Sequence, residues 1–574
     1  MIRYEVFCDS PSLNYIRFKA VFPVQSPETI LKISAWRPGR YELGNFAKNV
    51  RNFKVYDSDG QLILFRKTDK SSWEIQTEIT REILVEYEYF ASELNAGSSF
   101  LDETQLYVNP VNCFLYSDEL KNEPYQIQLN ISNNWKIACS LPIDNNLMSA
   151  SNYEELADSP FICSANLSHD SYEVQGIIFH IWFNNHKYID WDRLKNDFIK
   201  FTLKQLNDFT HFPCNEFHFL IHSLPYTAYH GVEHLKSTVI TLGPSYDIFG
   251  PLYSELLGVS SHELYHVWNV KSIRPIDMLP YNFDKENYSR LGYVYEGVTT
   301  YLGDLYLLKS GVFNLESYLK EFNKQLQKHF DNLGRLNYSV AQSSFDTWLD
   351  GYVPGVPGRK VSIYTEGCLL AFIADIKIRK ATKNKYGIEE VMKRLYFDFA
   401  LQGKGYREKD FKEVLERVSG EVFETYFSNY INGTLPYYDL IQESLDYLGL
   451  KLVRNDSNSY SESKLGFKSI PKGKNSVIQV IHPSSPAERC SLAVGDEIIA
   501  INERQLNSDL DKWLKYFKSE IKVISLFRNG FLHEISLIED EYSYFQSFVV
   551  KYKDEIDENH IHNLKAWGEE GVLI

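Results

Sequence analysis

The sequence predicts a multidomain chain: an all-β sandwich first, a mainly helical α+β domain in the centre, and a small strand-rich domain near the C-terminus. Three observations lead there. A chain of 574 residues is too long for one hydrophobic core and divides into several domains. Its first 165 or so positions carry apolar residues in short runs rich in β-branched and aromatic types. After Leu242 helical periodicity takes over, and past about residue 446 short strand-like runs return.

Residues 1–165 justify the sandwich. The runs Tyr4–Cys8, Tyr15–Val24, Ile30–Trp36, Phe53–Tyr56, Leu62–Arg66 and Ile83–Phe90 read as strands. In the last of them Ile83, Val85, Tyr87 and Tyr89 alternate with glutamates, the pattern of a half-buried strand. Asp57-Ser58-Asp59-Gly60 is a hairpin turn signal. Trp36-Arg37-Pro38-Gly39-Arg40-Tyr41 reads as a turn with aromatic anchors. Nothing in this part resembles a catalytic cluster, so it is expected to pack on the part that carries the chemistry.

Residues 166–445 open with strands at Ile177–Phe183, Glu216–Ile221 and Ser237–Leu242. Helices follow at Tyr253–Val270, Val294–Lys309, Leu315–Phe330, Thr365–Lys380, Ile388–Leu401 and Lys409–Val418. Asn314 is placed to cap the third, Ser310-Gly311 stops the second and Gly420 ends the last. Residues 446–540 form the small strand-rich domain, and the aromatic, acidic tail 541–574 is expected to pack back on the body or cap that domain.

Composition excludes some functions. The net charge of −16 argues against nucleic acid or an anionic membrane as main partner. Seven scattered cysteines, never in a CxxC pair, make a disulfide framework or a cysteine-based metal site a poor reading. The N-terminus shows no signal-like apolar core and no stretch is long enough for a membrane span, so a cytoplasmic location is expected. Oligomeric state is not legible.

The chemistry concentrates in His262-Glu263-Leu264-Tyr265-His266. On a helix the two histidines share one face, one turn apart, and together bind one Zn²⁺ per chain. Glu263 then faces a water on the metal as general base. A catalytic zinc needs a third protein ligand. Glu296, on the returning helix, is the candidate; the alternative is a first-turn glutamate that favours the helix dipole. Asn269, Thr299 and Thr300 are candidates to support the ligands from behind.

With those residues in view the sequence resembles the M61 family of zinc peptidases, the glycyl aminopeptidases. The resemblance lies in His262, Glu263, His266, Trp268, Asn269, Lys271 and Pro275, and in Glu296, Gly297, Thr299 and Tyr301. It implies a gluzincin-type, thermolysin-like catalytic domain with His262, His266 and Glu296 on zinc and Glu263 as base. Gly231-Val232-Glu233-His234 is similar to the family's Gly-Gly-x-Glu-His segment, with His230 where glycine is frequent. By analogy Glu233, supported by Gly231, anchors the substrate's α-ammonium; the alternative is an ordinary strand glutamate. Ile363-Tyr364-Thr365-Glu366-Gly367 is similar to the family's Tyr-Tyr-x-Lys-Gly. Tyr364 is then the oxyanion donor, or else a structural tyrosine, and the chain departs at Ile363 and Glu366. The turn at Trp36–Tyr41 matches the family's β-domain signature and is expected to wall the cleft.

Residues 446–540 resemble a PDZ domain. Leu465-Gly466-Phe467 is similar to a carboxylate-binding loop, and Ser485-Pro486-Ala487 with Gly495-Asp496-Glu497-Ile498 to the usual core. The resemblance implies a groove for a C-terminal peptide; the alternative is a domain kept for packing or dimerisation. The expected function is zinc-dependent removal of N-terminal residues, small ones such as glycine or alanine, from peptides with a free N-terminus. A PDZ-guided endopeptidase in quality control and an inactive, peptide-binding scaffold remain the alternatives.

Overall fold

The protein is described from a computed structural model covering residues 1–78 and 80–572. The N-terminal part is β-rich and built from three sheets rather than the two layers of a simple sandwich. Its largest sheet has seven strands, with Ile2–Ser10 and Tyr15–Pro23 near the middle. These two pair antiparallel with Val6 opposite Phe18. The strand Glu82–Phe90 keeps the expected alternation, burying Ile83, Val85, Tyr87 and Tyr89. Asp57–Gly60 does turn the chain, with the Asp57 N–H on the Gln61 carbonyl at 2.9 Å. Ile30–Trp36 is strand only as far as Lys32, and Leu62–Arg66 only from Phe65.

The central part starts with a five-stranded sheet. Ile177–Asn184, Glu216–Ser223 and Ser237–Gly243 run parallel, and Ala228–Glu233 closes the edge antiparallel to Ser237–Gly243. Two parallel neighbours need a crossover, and the helix Trp191–Phe209 provides it. That helix was not expected. Asp190 caps it by accepting from the Arg193 N–H, and Leu194, Phe198, Phe201 and Leu206 face the core.

Against the edge strand lies the motif helix, Tyr253–Tyr265. It ends earlier than expected; His266 is its C-cap residue, with helical φ −61° and ψ −19°. The returning segment begins as a π-helical turn, Tyr293–Val298, and continues as the α-helix Thr299–Lys309. Leu315–Asp331 follows, its first turn capped by Asn314, which accepts from the Ser317 N–H at 2.9 Å. Ile363–Thr382 crosses behind the π turn.

N-terminal and central parts share one continuous core. Trp36 is fully buried between them, donating its indole N–H to the Asn282 carbonyl at 2.7 Å and lying edge-on to Trp348. The small domain has its own core around Leu465, Phe467, Ile498 and Leu514. Its sheet runs Phe467–Lys472, Asn475–Ile481, Glu497–Ile501, Lys522–Arg528, Phe531–Leu537 in space. The segment Leu450–Asp456 belongs to neither core sheet. It pairs with Gln546–Tyr552 of the tail, Leu450 opposite Tyr552 and Asp456 opposite Gln546. The tail then forms the helix Glu558–Gly568 and buries Trp567, whose indole N–H meets the Tyr301 hydroxyl at 2.9 Å. Among the described residues no helix is long and apolar enough to cross a membrane.

Candidate active site

The edge strand, the motif helix and the π turn converge on one cavity of about 730 Å³. The His262 and His266 Nε2 atoms stand 3.0 Å apart. The nearest Glu296 oxygen is 3.9 Å from the first and 3.5 Å from the second. Three donors each about 2.0–2.1 Å from a tetrahedral zinc would be separated by about 3.3 Å, so the triangle fits such an ion.

The surroundings prepare these donors. The His266 Nδ1–H donates to the Asn269 carbonyl at 2.6 Å, which leaves its Nε2 lone pair free for a cation. The Asn269 amide in turn donates to the Val294 carbonyl and the Thr299 hydroxyl, both at 3.0 Å. One asparagine thereby ties the end of the motif helix to the π turn that carries Glu296. Thr300 donates to the Glu296 carbonyl at 2.8 Å.

Electrostatics point the same way. Burial pushes the Glu296 carboxyl up to about 7, although His266 pulls against it. Burial also raises Glu263 well above the usual range and lowers His262 well below its own. Burial opposes charge on His266 too, yet Glu233 and Glu296 outweigh it and push the imidazole up to about 10. A cluster that holds a proton this firmly is one that accommodates a positive charge.

Glu263 and Glu233 complete the cavity. Glu263 is 5% exposed, and one of its oxygens has no hydrogen-bond partner among the described residues. It lies directly on the edge strand: a Cβ at Gly231 would stand 2.1 Å from its carboxylate, so any larger residue there would displace Glu263. Glu233 is 3% exposed and likewise keeps one oxygen unpartnered. Gly39, from the Trp36–Tyr41 turn, closes over it at φ +85°, so this turn does wall the cavity.

Tyr364 also lines the cavity, as Glu296 does. The helix that bears it meets the π turn through two glycines. A Cβ on Gly297 would lie 2.3 Å from the Gly367 Cα, so the backbones touch and fix Tyr364 relative to Glu296. The departure at Glu366 also borders the cavity, where it is 4% exposed and accepts from His329 at 2.9 Å and from Tyr437.

Several residues of the site escaped the sequence reading. Tyr352 accepts from the Tyr41 N–H at 3.0 Å and so links the N-terminal and central parts. Asp158 receives Lys271 at 2.7 Å, His234 at 3.0 Å and the Leu235 N–H at 2.8 Å, joining two recognised motifs through an unrecognised residue. Asp304 lines the far end, its carboxyl pushed up to about 7 by burial.

Leu465, Gly466 and Phe467 lie far along the chain and do not line this cavity. Leu465 and Phe467 are fully buried in the small core. Tyr544 and Phe545 of the same chain donate their N–H groups to the Ser463 and Glu462 carbonyls at 3.1 and 3.3 Å, roofing the loop. A strand that returns to the body has to pass this point, which is why the roof forms.

Residues 3–165 match the family model of the Peptidase M61 N-terminal domain, and residues 255–370 that of M61 glycyl aminopeptidase. No curated protein matches the chain. Among solved structures, the aminopeptidase N family protein from Idiomarina loihiensis is similar at a TM-score of 0.90 and 23% identity, over 99% of this chain and 100% of that one. That likeness shows the fold. A mutant M1 zinc metallopeptidase from Deinococcus radiodurans, bound to a Tyr-Ser-Ala substrate, is similar at a TM-score of 0.47 and 12% identity, over 76% of this chain and 94% of that one. The two family-model matches support an aminopeptidase in general.

Proposed function

We propose that the chain is a zinc-dependent aminopeptidase that releases small N-terminal residues, glycine or alanine, from peptides. The observation that carries this reading is the convergence of His262, His266 and Glu296 beside two buried, incompletely paired carboxylates, Glu263 and Glu233, in one cavity. The three donors would hold one zinc ion. Bound there, zinc supplies Lewis-acid activation of water and of the scissile carbonyl. Glu263, held above its ordinary range by burial, takes the proton of the attacking water and passes it to the leaving amine. Glu233 receives the substrate's α-ammonium, a charge-assisted contact for its free oxygen. Tyr364 donates its hydroxyl to the oxyanion as the carbonyl becomes tetrahedral. Gly231 lets the edge strand approach closely enough for an extended peptide to lie beside Glu263.

A panel of peptides with free and N-acetylated termini tests the assignment. Free Gly- and Ala-peptides are cleaved and their acetylated forms are not; equal cleavage of both would establish an endopeptidase instead. Zinc retained by an inactive Glu263→Gln variant distinguishes a working peptidase from a scaffold, because a scaffold has no activity to lose. The PDZ-type reading of 446–540 draws support from the sheet order and from the helices Pro486–Arg489 and Leu510–Tyr516. With the Leu465–Phe467 loop roofed, packing is its better-supported role.

A further inference from the structure

We infer that the N-terminal domain carries a binding site for a small oxyanion, a carboxylate or phosphate, built on Arg37. A second cavity of about 340 Å³ opens there, separate from the catalytic one and lined by Arg37, Arg40, Lys48, Ser98, Ser99 and Asn112. Arg37 is 5% exposed, and its Nη1 has no hydrogen-bond partner among the described residues. Among the described residues its guanidinium makes no ion pair within 4.0 Å.

Other buried arginines show how unusual this is. Arg379, 3% exposed, is held by Asp375 at 3.0 Å and by Glu389 at 2.6 Å. Arg274, 9% exposed, has Glu154 at 2.7 Å. A buried guanidinium without an anion is a large desolvation cost left uncompensated. The local backbone favours this arrangement rather than tolerating it. A Cβ at Gly97 would stand 2.0 Å from the Arg37 Cζ, so the guanidinium rests on a bare glycine. Asn112 donates to the Gly97 carbonyl at 3.0 Å and steadies that floor.

Two carboxylates also line the cavity: Glu42 pairs with Arg40, and Glu93 accepts from the Asn95 amide at 2.7 Å. Lys48 is exposed at the rim and makes no ion pair within 4.0 Å among the described residues. Arg37, Arg40 and Lys48 thus face two lining carboxylates, Glu42 and Glu93, which leaves one cation in excess, and the planar five-donor fork of arginine suits an oxyanion.

Calorimetric titration of the full chain with inorganic phosphate, at constant ionic strength, tests the site without any turnover, so it can fail independently of the peptidase reading. Saturable one-site binding in roughly the millimolar range is expected, and it is unchanged in His262→Ala, where no anion can sit on a catalytic metal. Arg37→Gln weakens it at least tenfold. Lys48→Glu, at an exposed position that leaves folding intact, weakens it severalfold. Acetate and N-acetyl-trialanine form the second arm: acetate binding alone identifies a free anion, and tighter binding of the peptide identifies a carboxylate carried on a chain. No saturable heat with any of the three, or binding indifferent to both Arg37→Gln and Lys48→Glu, overturns the proposal.

Discussion

Two buried charge clusters lie on either side of the motif segment, and they are built in opposite ways. Around Asp158 every charge has found its counter-charge. Burial raises this carboxyl, but Lys271 and His234 outweigh burial and hold it well below the usual carboxylate range. Around His266 the carboxylates are buried more deeply than Asp158, yet Glu233 and Glu263 each keep an oxygen without a partner among the described residues. A paired cluster spends its charges on holding the chain together. An unpaired one keeps them available for an ion and a substrate, at a cost the surrounding fold has to offset.

The comparison breaks if both clusters respond alike to loss of one charge. Glu263→Gln has the largest expected effect: kcat falls by roughly 10³ or more while zinc content and melting temperature hold, as measured by steady-state kinetics, metal analysis and calorimetry. Asp158→Asn does the reverse. It destabilises the protein by about 3–5 kcal/mol, because Lys271 is left buried and uncompensated, with zinc stoichiometry retained in the folded fraction. Its pH dependence has a definite sign. The folded pKa of Asp158 lies below the unfolded value, so its contribution is complete above about pH 4 and is lost as pH falls through the folded pKa. Denaturant midpoints of wild type and Asp158→Asn therefore converge in acid; a constant gap from pH 7 to 3 would contradict the assignment.

Tyr364→Phe comes next, with kcat reduced by roughly 10²-fold and KM little altered, since the hydroxyl acts on charge that develops only during reaction. A smaller outcome sharpens the contrast from the other side. Lys409 and Glu413 form an exposed pair at 3.5 Å on a helix surface. Lys409→Ala leaves the melting temperature unchanged within error, because exposed pairs are screened and mobile.

What the sequence disclosed follows from how local each signal is. His262 and His266 are legible because helix geometry alone brings them together. Glu296 is legible only once a third ligand is demanded, and nothing in Tyr293–Val298 announces that it winds as a π turn. The helix Trp191–Phe209 was missed although Asp190 marks its start. Its phenylalanines suit strands as well as helices, and only the parallel neighbours on either side decide the matter. Asp158 was beyond reach: a contact with Lys271 across 113 positions leaves no pattern in either segment. The surroundings of the Leu465–Phe467 loop are illegible for the same reason, since Tyr544 and Phe545 reach Ser463 and Glu462 from far along the chain.

The pairing of Leu450–Asp456 with Gln546–Tyr552 has a topological consequence. The chain leaves the body and re-enters it through two neighbouring strands, so everything between Asp456 and Gln546 is a detour whose ends already stand side by side. Antiparallel partners are about 5 Å apart, a gap that a two-residue turn spans. The small domain is in this sense a detachable circuit: a chain that skips it can still close the hairpin, dock the helix Glu558–Gly568 and seat Trp567 against Tyr301.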